Sequence, residues 1–280
     1  MIKQALLPIL AACLLAACGT EPQTNEASEP STDSTAIAAA PEKSGLQIEM
    51  KTIQRASKEC QSPDNPCARF QLTYPEIVGH SGPLSDSLRR FVFRDVFHST
   101  DPEGRYPSGE VSLDKIAETF ITAFEEMVKA EGPPATGSEF NVQGEVLYEN
   151  SKILTIALPT YSYSSGAAHP NYFTSIANFD KASGRQLRYE DLLTDRKKTE
   201  EIVQQYFLKS MEEKTGEPMK IEDFFWGSPF TLSENFAIEG DSIQFLYNPY
   251  EAAAYVFGET SIKLPIEQFE GLIRSEQFED

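Results

Sequence analysis

The stretch FNVQGEVLYENSKILTIALPTYSY, residues 140–163, decides how this chain is read. Apolar and polar residues alternate along it with a period of two, the pattern of β-strands. It reads as two strands, Phe140–Tyr148 and Ile153–Tyr163, joined by a tight turn at Asn150-Ser151. Asn and Ser suit such a turn because their short side chains bond the local backbone. A third strand is expected at Tyr172–Phe179, and Asp180-Lys-Ala-Ser-Gly184 turns the chain after it.

On the N-terminal side the period changes to 3.6. Leu84, Leu88, Phe91, Val92 and Val96 recur at helical spacing, with Ser85 or Ser87 near the start. A polar loop, Ser99–Gly109, separates this helix from a second one. Ser112 is the expected N-cap of that helix, and Ile116, Phe120, Ile121, Phe124 and Met127 form its apolar stripe. Gly132-Pro133-Pro134 stops it. Further upstream, Leu46–Met50 and Ala68–Tyr74 alternate like the arms of a hairpin, and Tyr74-Pro75-Glu76-Ile77 ends the second arm. Cys60 and Cys67 flank the turn-rich Gln-Ser-Pro-Asp-Asn-Pro between the arms. In an oxidising compartment they are expected to pair and staple the hairpin, stabilising it by roughly 2–3 kcal/mol. Their spacing is not Cys-x-x-Cys, which weakens the rival redox reading.

On the C-terminal side, Thr199–Lys214 reads as a helix with Ile202, Val203, Tyr206, Phe207 and Met211 inward, closed by Gly216. Phe236–Ile238, Ile243–Tyr247 and Thr260–Leu264 read as strands, and Pro265 opens a final helix containing Phe269, Leu272 and Ile273. Strands, helices, strands and a helix in that order point to an α+β fold with a mixed, mostly antiparallel sheet and packed helices, rather than alternating βαβ units.

The first residues read as an export signal. Lys3 gives a positive start, and Ala5–Ala17 is an apolar run too short to span a bilayer. Leu15-Ala16-Ala17-Cys18 looks like the lipobox of bacterial lipoproteins, so Cys18 is the expected lipidation site and the first mature residue. Gly19, where an Asp would resemble an inner-membrane retention signal, points to the outer membrane of a two-membrane cell. Gly19–Ser44 is rich in Glu, Pro, Ser, Thr and Ala and reads as a disordered tether. The expected organisation is a signal peptide (1–17), a lipidated cysteine and tether (18–44), an N-terminal α+β subdomain holding the stapled hairpin (45–138) and a C-terminal α+β subdomain (139–280). The formal net charge is −19. That argues against nucleic acid and against anionic lipid surfaces, and it suits a cationic partner as well as it suits plain solubility.

Several segments resemble a known family. They are Tyr161-Ser-Tyr-Ser-Ser-Gly166-Ala-Ala-His169-Pro-Asn-Tyr172, Asn178-Phe179-Asp180 with Gly184, and Asp191-Leu192-Leu193. Phe245-Leu-Tyr-Asn248-Pro249-Tyr250-Glu251-Ala252 followed by Gly258, and Tyr74-Pro75-Glu76-Ile77, complete the pattern. The chain is similar over roughly residues 45–275 to the RsiV-like extracytoplasmic module. That module is found in a lysozyme-sensing anti-sigma factor's ectodomain, in accessory regions of peptidoglycan deacetylases and in many lipoproteins. The resemblance implies a mixed α+β module that binds and does not catalyse, with lysozyme as the implied ligand in the best-understood member. The loop departs from the family pattern at Ala167 and Pro170, where glycines are expected.

Candidate partner-binding residues are Tyr161, Tyr163, Gly166, His169, Tyr172, Asn248, Tyr250 and Tyr255, which cluster around the two signatures. Tyrosine offers large contact area and is enriched at interfaces, although it also packs sheet faces. Gly166 and Asn248-Pro249 also read as turn chemistry. His169 could act as a general base with an acidic residue, or simply bond its own loop. No nucleophile signature stands beside it, and three histidines with two paired cysteines argue against a metal site. Asp180, Glu190, Asp191, Glu222 and Asp223 supply carboxylates for a glycosidase-style pair, but a solvated acidic surface explains them more simply. The expected function is a cell-envelope lipoprotein acting as a non-catalytic binding module without a cofactor, whose partner is lysozyme or a similar cationic protein. The alternatives are a module that binds peptidoglycan glycan strands and a hydrolase using His169.

Overall fold

The computed structural model describes residues 46–62, 65–100 and 111–274. The expected signal peptide, Cys18 and tether lie outside the described residues, as does most of the Ser99–Gly109 loop. No helix among the described residues is long and apolar enough to cross a membrane.

Ile153–Leu158 is buried on both faces of a sheet, which is why the sequence there is a continuous apolar run broken only by Thr155. This segment belongs to β5 (Ile153–Tyr163), which forms with its neighbours a seven-stranded sheet. The order is β1 (Ile48–Ala56), β2 (Ala68–Ile77), β3 (Ser138–Gln143), β5, β6 (Asn171–Asp180) and β7 (Gln186–Leu187). β4 (Glu145–Glu149) pairs with β5 beyond the end of β3. The expected single strand Phe140–Tyr148 is therefore two strands, broken at Gly144. The reason is steric: a side chain at Gly144 would come within 2.9 Å of Leu158 and of the Thr73 carbonyl oxygen, while the Gly144 amide donates to that carbonyl at 2.7 Å. Side-chain alternation passes through this jog unchanged and so conceals it.

The pairing is antiparallel except between β2 and β3, which run parallel. A parallel pair needs a crossover. Here it consists of α1 (Pro83–Thr100) and α2 (Leu113–Glu131). The Ser112 hydroxyl caps α2 by accepting from the Lys115 amide at 3.1 Å, and Gly132 ends it at φ 86°. Leu88, Val92 and Val96 of α1 and Ile116 and Phe124 of α2 bury one face of the sheet, against Phe70, Phe140, Leu154, Ile156 and Leu158. β1 and β2 form the expected hairpin, with a Cys60–Cys67 disulfide beside it.

The other face carries a second core. It is built on α4 (Arg196–Thr215), whose Val203, Phe207 and Met211 are fully buried, and on a three-stranded sheet, β8 (Phe236–Glu239), β9 (Ser242–Tyr247) and β10 (Thr260–Pro265). Asp195 caps α4 through the Lys198 amide, and left-handed Gly216 closes it. The single turn α3 (Tyr189–Leu192) precedes α4. The expected final helix after Pro265 is only a short 3-10 turn, Ile266–Phe269. Phe269 is fully buried in the second core, and Ile273 then bridges to Leu193, so the chain leaves the helical path after one turn.

Asparagine side chains stitch the two sheets together. Asn178 donates to the Phe236 carbonyl at 2.8 Å and accepts from the Thr155 hydroxyl and the Ile238 amide at 2.9 and 3.0 Å. Farther along β6, the Asn235 side chain accepts from the Ile176 amide, and that of Asn248 accepts from the Thr174 amide, each at 2.8 Å. β7 covers β6 only at Asn178 and Phe179, and these amides satisfy backbone groups farther along that edge.

Candidate partner-binding surface

The β5–β6 loop and the segment after β9 meet although some eighty residues separate them. Gly166 takes φ 82°, as a tight loop requires. Ser165 ties the loop down, its hydroxyl donating to the Thr136 carbonyl at 2.8 Å and its amide donating to Ser138 Oγ at 3.0 Å. The Tyr163 hydroxyl donates to the Ala167 carbonyl at 3.1 Å. The loop therefore presents His169 in a fixed place.

The His169 ring stacks on Tyr255 with centroids 4.2 Å apart, and Tyr255 lies 5.7 Å from Tyr250. His169 Nδ1 lies 2.8 Å from the Pro170 carbonyl oxygen, which can only accept, so Nδ1 carries the proton. In the neutral ring Nε2 then accepts from the Tyr250 hydroxyl at 3.3 Å. The Tyr255 hydroxyl donates to the same Pro170 carbonyl at 2.8 Å. Tyr161 and Tyr172 face each other across β5 and β6, centroids 5.1 Å apart, and burial together with nearby Glu139 pushes the Tyr161 phenol up.

Two of these positions serve the fold. Asn248 holds the edge of β6, and its own amide donates to Glu251 at 2.9 Å. Gly166 supplies only backbone freedom. The remaining candidates form an aromatic shelf.

Sequence reasoning missed one member of this shelf, Trp226, and the exposed Val256 that follows Tyr255 in the chain. Trp226 is 68% exposed and Val256 is 85% exposed. The Trp226 indole N–H donates to the Tyr250 carbonyl at 3.2 Å. Phe225, Trp226 and Tyr250 have φ of 49°, 56° and 72°, a left-handed backbone that bulky residues rarely adopt. Phe225 is anchored in the core against Phe207, Phe230 and Tyr247, and its amide donates to the Ala252 carbonyl at 2.7 Å. The core thus clamps the turn and drives the indole outward. The only sequence signal was the run Phe224-Phe225-Trp226-Gly227, which fits neither a helical nor a strand period. At the back of the shelf Lys214, from the last turn of α4, donates to the carbonyls of Phe257 and Glu259 at 3.2 and 2.7 Å. Burial pulls its amine down.

The arrangement offers contact area rather than acid–base machinery. Asp180 lies at the opposite end of β6 from His169 and accepts from the Ser183 amide. Asp191 accepts from the Arg188 amide and from Arg185, whose guanidinium holds its carboxyl below the usual range. Asp223 accepts from the Lys220 amide, Glu190 lies 3.8 Å from Arg188, and Glu222 is exposed. Among the described residues no group of three or more His, Cys, Asp or Glu side chains could hold a metal ion.

Two family models match the chain. Residues 61–172 match that of the Deacetylase PdaC, and residues 190–267 match that of a protein of unknown function (DUF3298). The chain carries a PdaC domain followed by a DUF3298 domain. These matches bear out the resemblance to the RsiV-like extracytoplasmic family. Two solved structures are similar. A DUF3298 family member from Bacteroides fragilis has a TM-score of 0.61 and 19% identity, covering 81% of this chain and 93% of its own. A DUF3298 family protein from Pseudomonas aeruginosa has a TM-score of 0.56 and 16% identity, covering 84% and 98%. At these identities the likeness establishes the fold. No curated protein matches the chain. The shelf draws on both domains: Tyr161–Tyr172 end the PdaC match, and Trp226, Tyr250 and Tyr255 lie inside the DUF3298 match.

Proposed function

We propose that this protein is a lipid-anchored cell-envelope module, held through Cys18, that binds a basic protein such as lysozyme through the aromatic shelf and performs no chemistry itself. One observation carries the reading. Among the described residues, Tyr172, Trp226 and Tyr250 are half of the exposed large hydrophobic side chains, and all three belong to this single surface. Exposed apolar groups concentrated in one place mark contact sites, and Tyr and Trp dominate the energetics of interfaces. Glu139, Glu251 and Glu259 lie around it, with Glu259 accepting from Thr174 and Glu251 from Asn248. A net charge of −19 adds long-range attraction for a cationic partner.

The test is calorimetric titration of the purified protein with c-type lysozyme at two salt concentrations. Binding should weaken as salt rises. Tyr250→Ala should weaken it about tenfold or more. Absence of binding at low salt would refute lysozyme as the partner, and unchanged binding in Tyr250→Ala would refute the shelf.

A further inference from the structure

A cleft of about 950 Å³ lies apart from the rings of the shelf, walled by the second half of α1, by β6 and by the loops carrying Glu234-Asn235 and Asn248–Glu251. Hollows of about 500 and 420 Å³ share its walls, the first along α1 at Phe91 and His98 and the second at Glu234 and Glu251. We propose that this cleft is a binding site for a neutral oligosaccharide chain.

Three features select that ligand. The first is the inventory of the walls. Ser162, Ser164, Asn171, Ser175 and Gln186 bring hydroxyls and amides, and the rings of Phe91 and Phe173 lie among them. A sugar ring carries hydroxyls that donate and accept around its edge and C–H groups on its faces, so it needs side chains that do both, with apolar surface beside them. The second is charge. Asp95, Glu139, Glu234 and Glu251 line the cleft, against Arg94 and His98. Carboxylates accept readily from sugar hydroxyls, and together they repel an anionic ligand. Asp95 sits in the wall, bonded to Ser175 and with Oδ2 buried and unbonded, which leaves one carboxylate oxygen to accept from a ligand. The third feature excludes the commonest peptide mode. An extended peptide would add to the open edge of β6, but Asn235 and Asn248 already occupy the amides of Ile176 and Thr174 there. The cleft is thus closed to backbone pairing and open to side-chain recognition of hydroxyls. The neighbouring hollows along its walls suit a chain of sugars better than a single ring.

Glu139 and Glu251 border both the cleft and the shelf, and the test keeps the two sites apart. The purified protein is titrated by calorimetry and by NMR with two probes, the β-1,4-linked tetrasaccharides of glucose and of N-acetylglucosamine. At least one should bind, and Ser164→Trp, which fills the cleft from an exposed position, should weaken that binding about tenfold or more. Trp226→Ala, on the shelf and outside the lining of the cleft, should leave it unchanged. A circular dichroism melt like that of the unaltered protein confirms that Ser164→Trp is folded; should it unfold, Ser164→Arg replaces it. The proposal is overturned if neither tetrasaccharide binds at millimolar concentration, if the cleft-filling variant binds as well as the unaltered protein, or if a cationic peptide such as tetralysine displaces the sugar from the cleft more strongly than the sugar itself binds.

Discussion

Asn178 and Trp226 each sit where their residue type is not expected, the amide 1% exposed in the seam between the sheets and the indole 68% exposed on the shelf. The seam is stable because its polar atoms find partners: Asn178, Thr155, Phe236 and Ile238 bond one another directly. On the shelf Trp226 and Tyr250 face solvent from left-handed, strained backbone. A buried polar group that is fully bonded specifies a fold, whereas apolar surface held outward is surface available to a partner. Asn178 and the shelf residues Tyr161, His169, Tyr172 and Tyr250 all lie in the signature segments, so resemblance alone could not say which residues serve stability and which serve contact.

The comparison would break if the shelf were independent of the core. Phe207 is fully buried, with ring centroids of Phe224, Phe225, Phe230 and Tyr247 between 5.2 and 5.9 Å away. Phe207→Ala should cost about 3–5 kcal/mol in urea unfolding. It should also weaken binding at the shelf, because Phe225 anchors the turn that carries Trp226. Full binding by the folded variant would show that the turn stands alone. Asn178→Leu should cost about 3 kcal/mol, since the Thr155 hydroxyl, the Ile238 amide and the Phe236 carbonyl each lose a buried partner. Here binding by the folded fraction should be unchanged, which separates the seam from the shelf.

Asp95 sharpens the contrast from the other side, as a buried polar group whose bonding is incomplete. Burial pushes its carboxyl up from 3.8 to about 6, against the opposing effects of a Ser175 hydrogen bond, Arg94 and His98. A carboxyl with a raised pKa binds its proton more tightly in the folded state. Its contribution is therefore favourable in acid and is lost as pH rises from about 4 to about 6, a loss of roughly 2–3 kcal/mol. Asp95→Asn should remove this component. The difference in unfolding free energy between pH 4 and pH 7.5 should shift by that amount relative to the unaltered protein. Parallel pH profiles would show that the Asp95 carboxyl is better solvated than its surroundings indicate.

Much of the fold was legible because local physics decided it. β5 needed only its apolar run and the Asn150 turn, and α2 needed its stripe and the Ser112 cap. The misses are tertiary. The break at Gly144 depends on the approach of Leu158 and Thr73 from other strands; the mixed sheet was expected, and only the place of its parallel pair, β2 with β3 across a two-helix crossover, was not. Phe269 has helical spacing but is claimed by the core after one turn. The sequence suggested that Tyr161, His169, Tyr172, Tyr250 and Tyr255 act together, and their meeting followed from strand-end signatures that fold onto each other. Trp226 was hidden because its exposure comes from left-handed backbone imposed by buried Phe225, which no periodicity records.

Trp226 gives the smallest expected change in stability and the most direct test of the comparison. A left-handed conformation costs an ordinary side chain about 1–2 kcal/mol, and Asn tolerates it better than Trp. Trp226→Asn relieves part of that strain and loses the indole bond to the Tyr250 carbonyl, worth about 1 kcal/mol. These effects oppose each other, so the unfolding free energy should change by less than about 1 kcal/mol. Binding should fall about tenfold or more, because the exposed ring is removed. Trp226→Phe keeps an aromatic face and the strain but lacks the N–H, so it should bind better than the Asn variant while being less stable than the unaltered protein. That inversion, with the better binder of the two variants the less stable, is what a residue strained outward for contact requires. A loss above about 2 kcal/mol in Trp226→Asn would instead make the indole a support for the Tyr250 turn, placing it with Asn178 among residues that hold the fold.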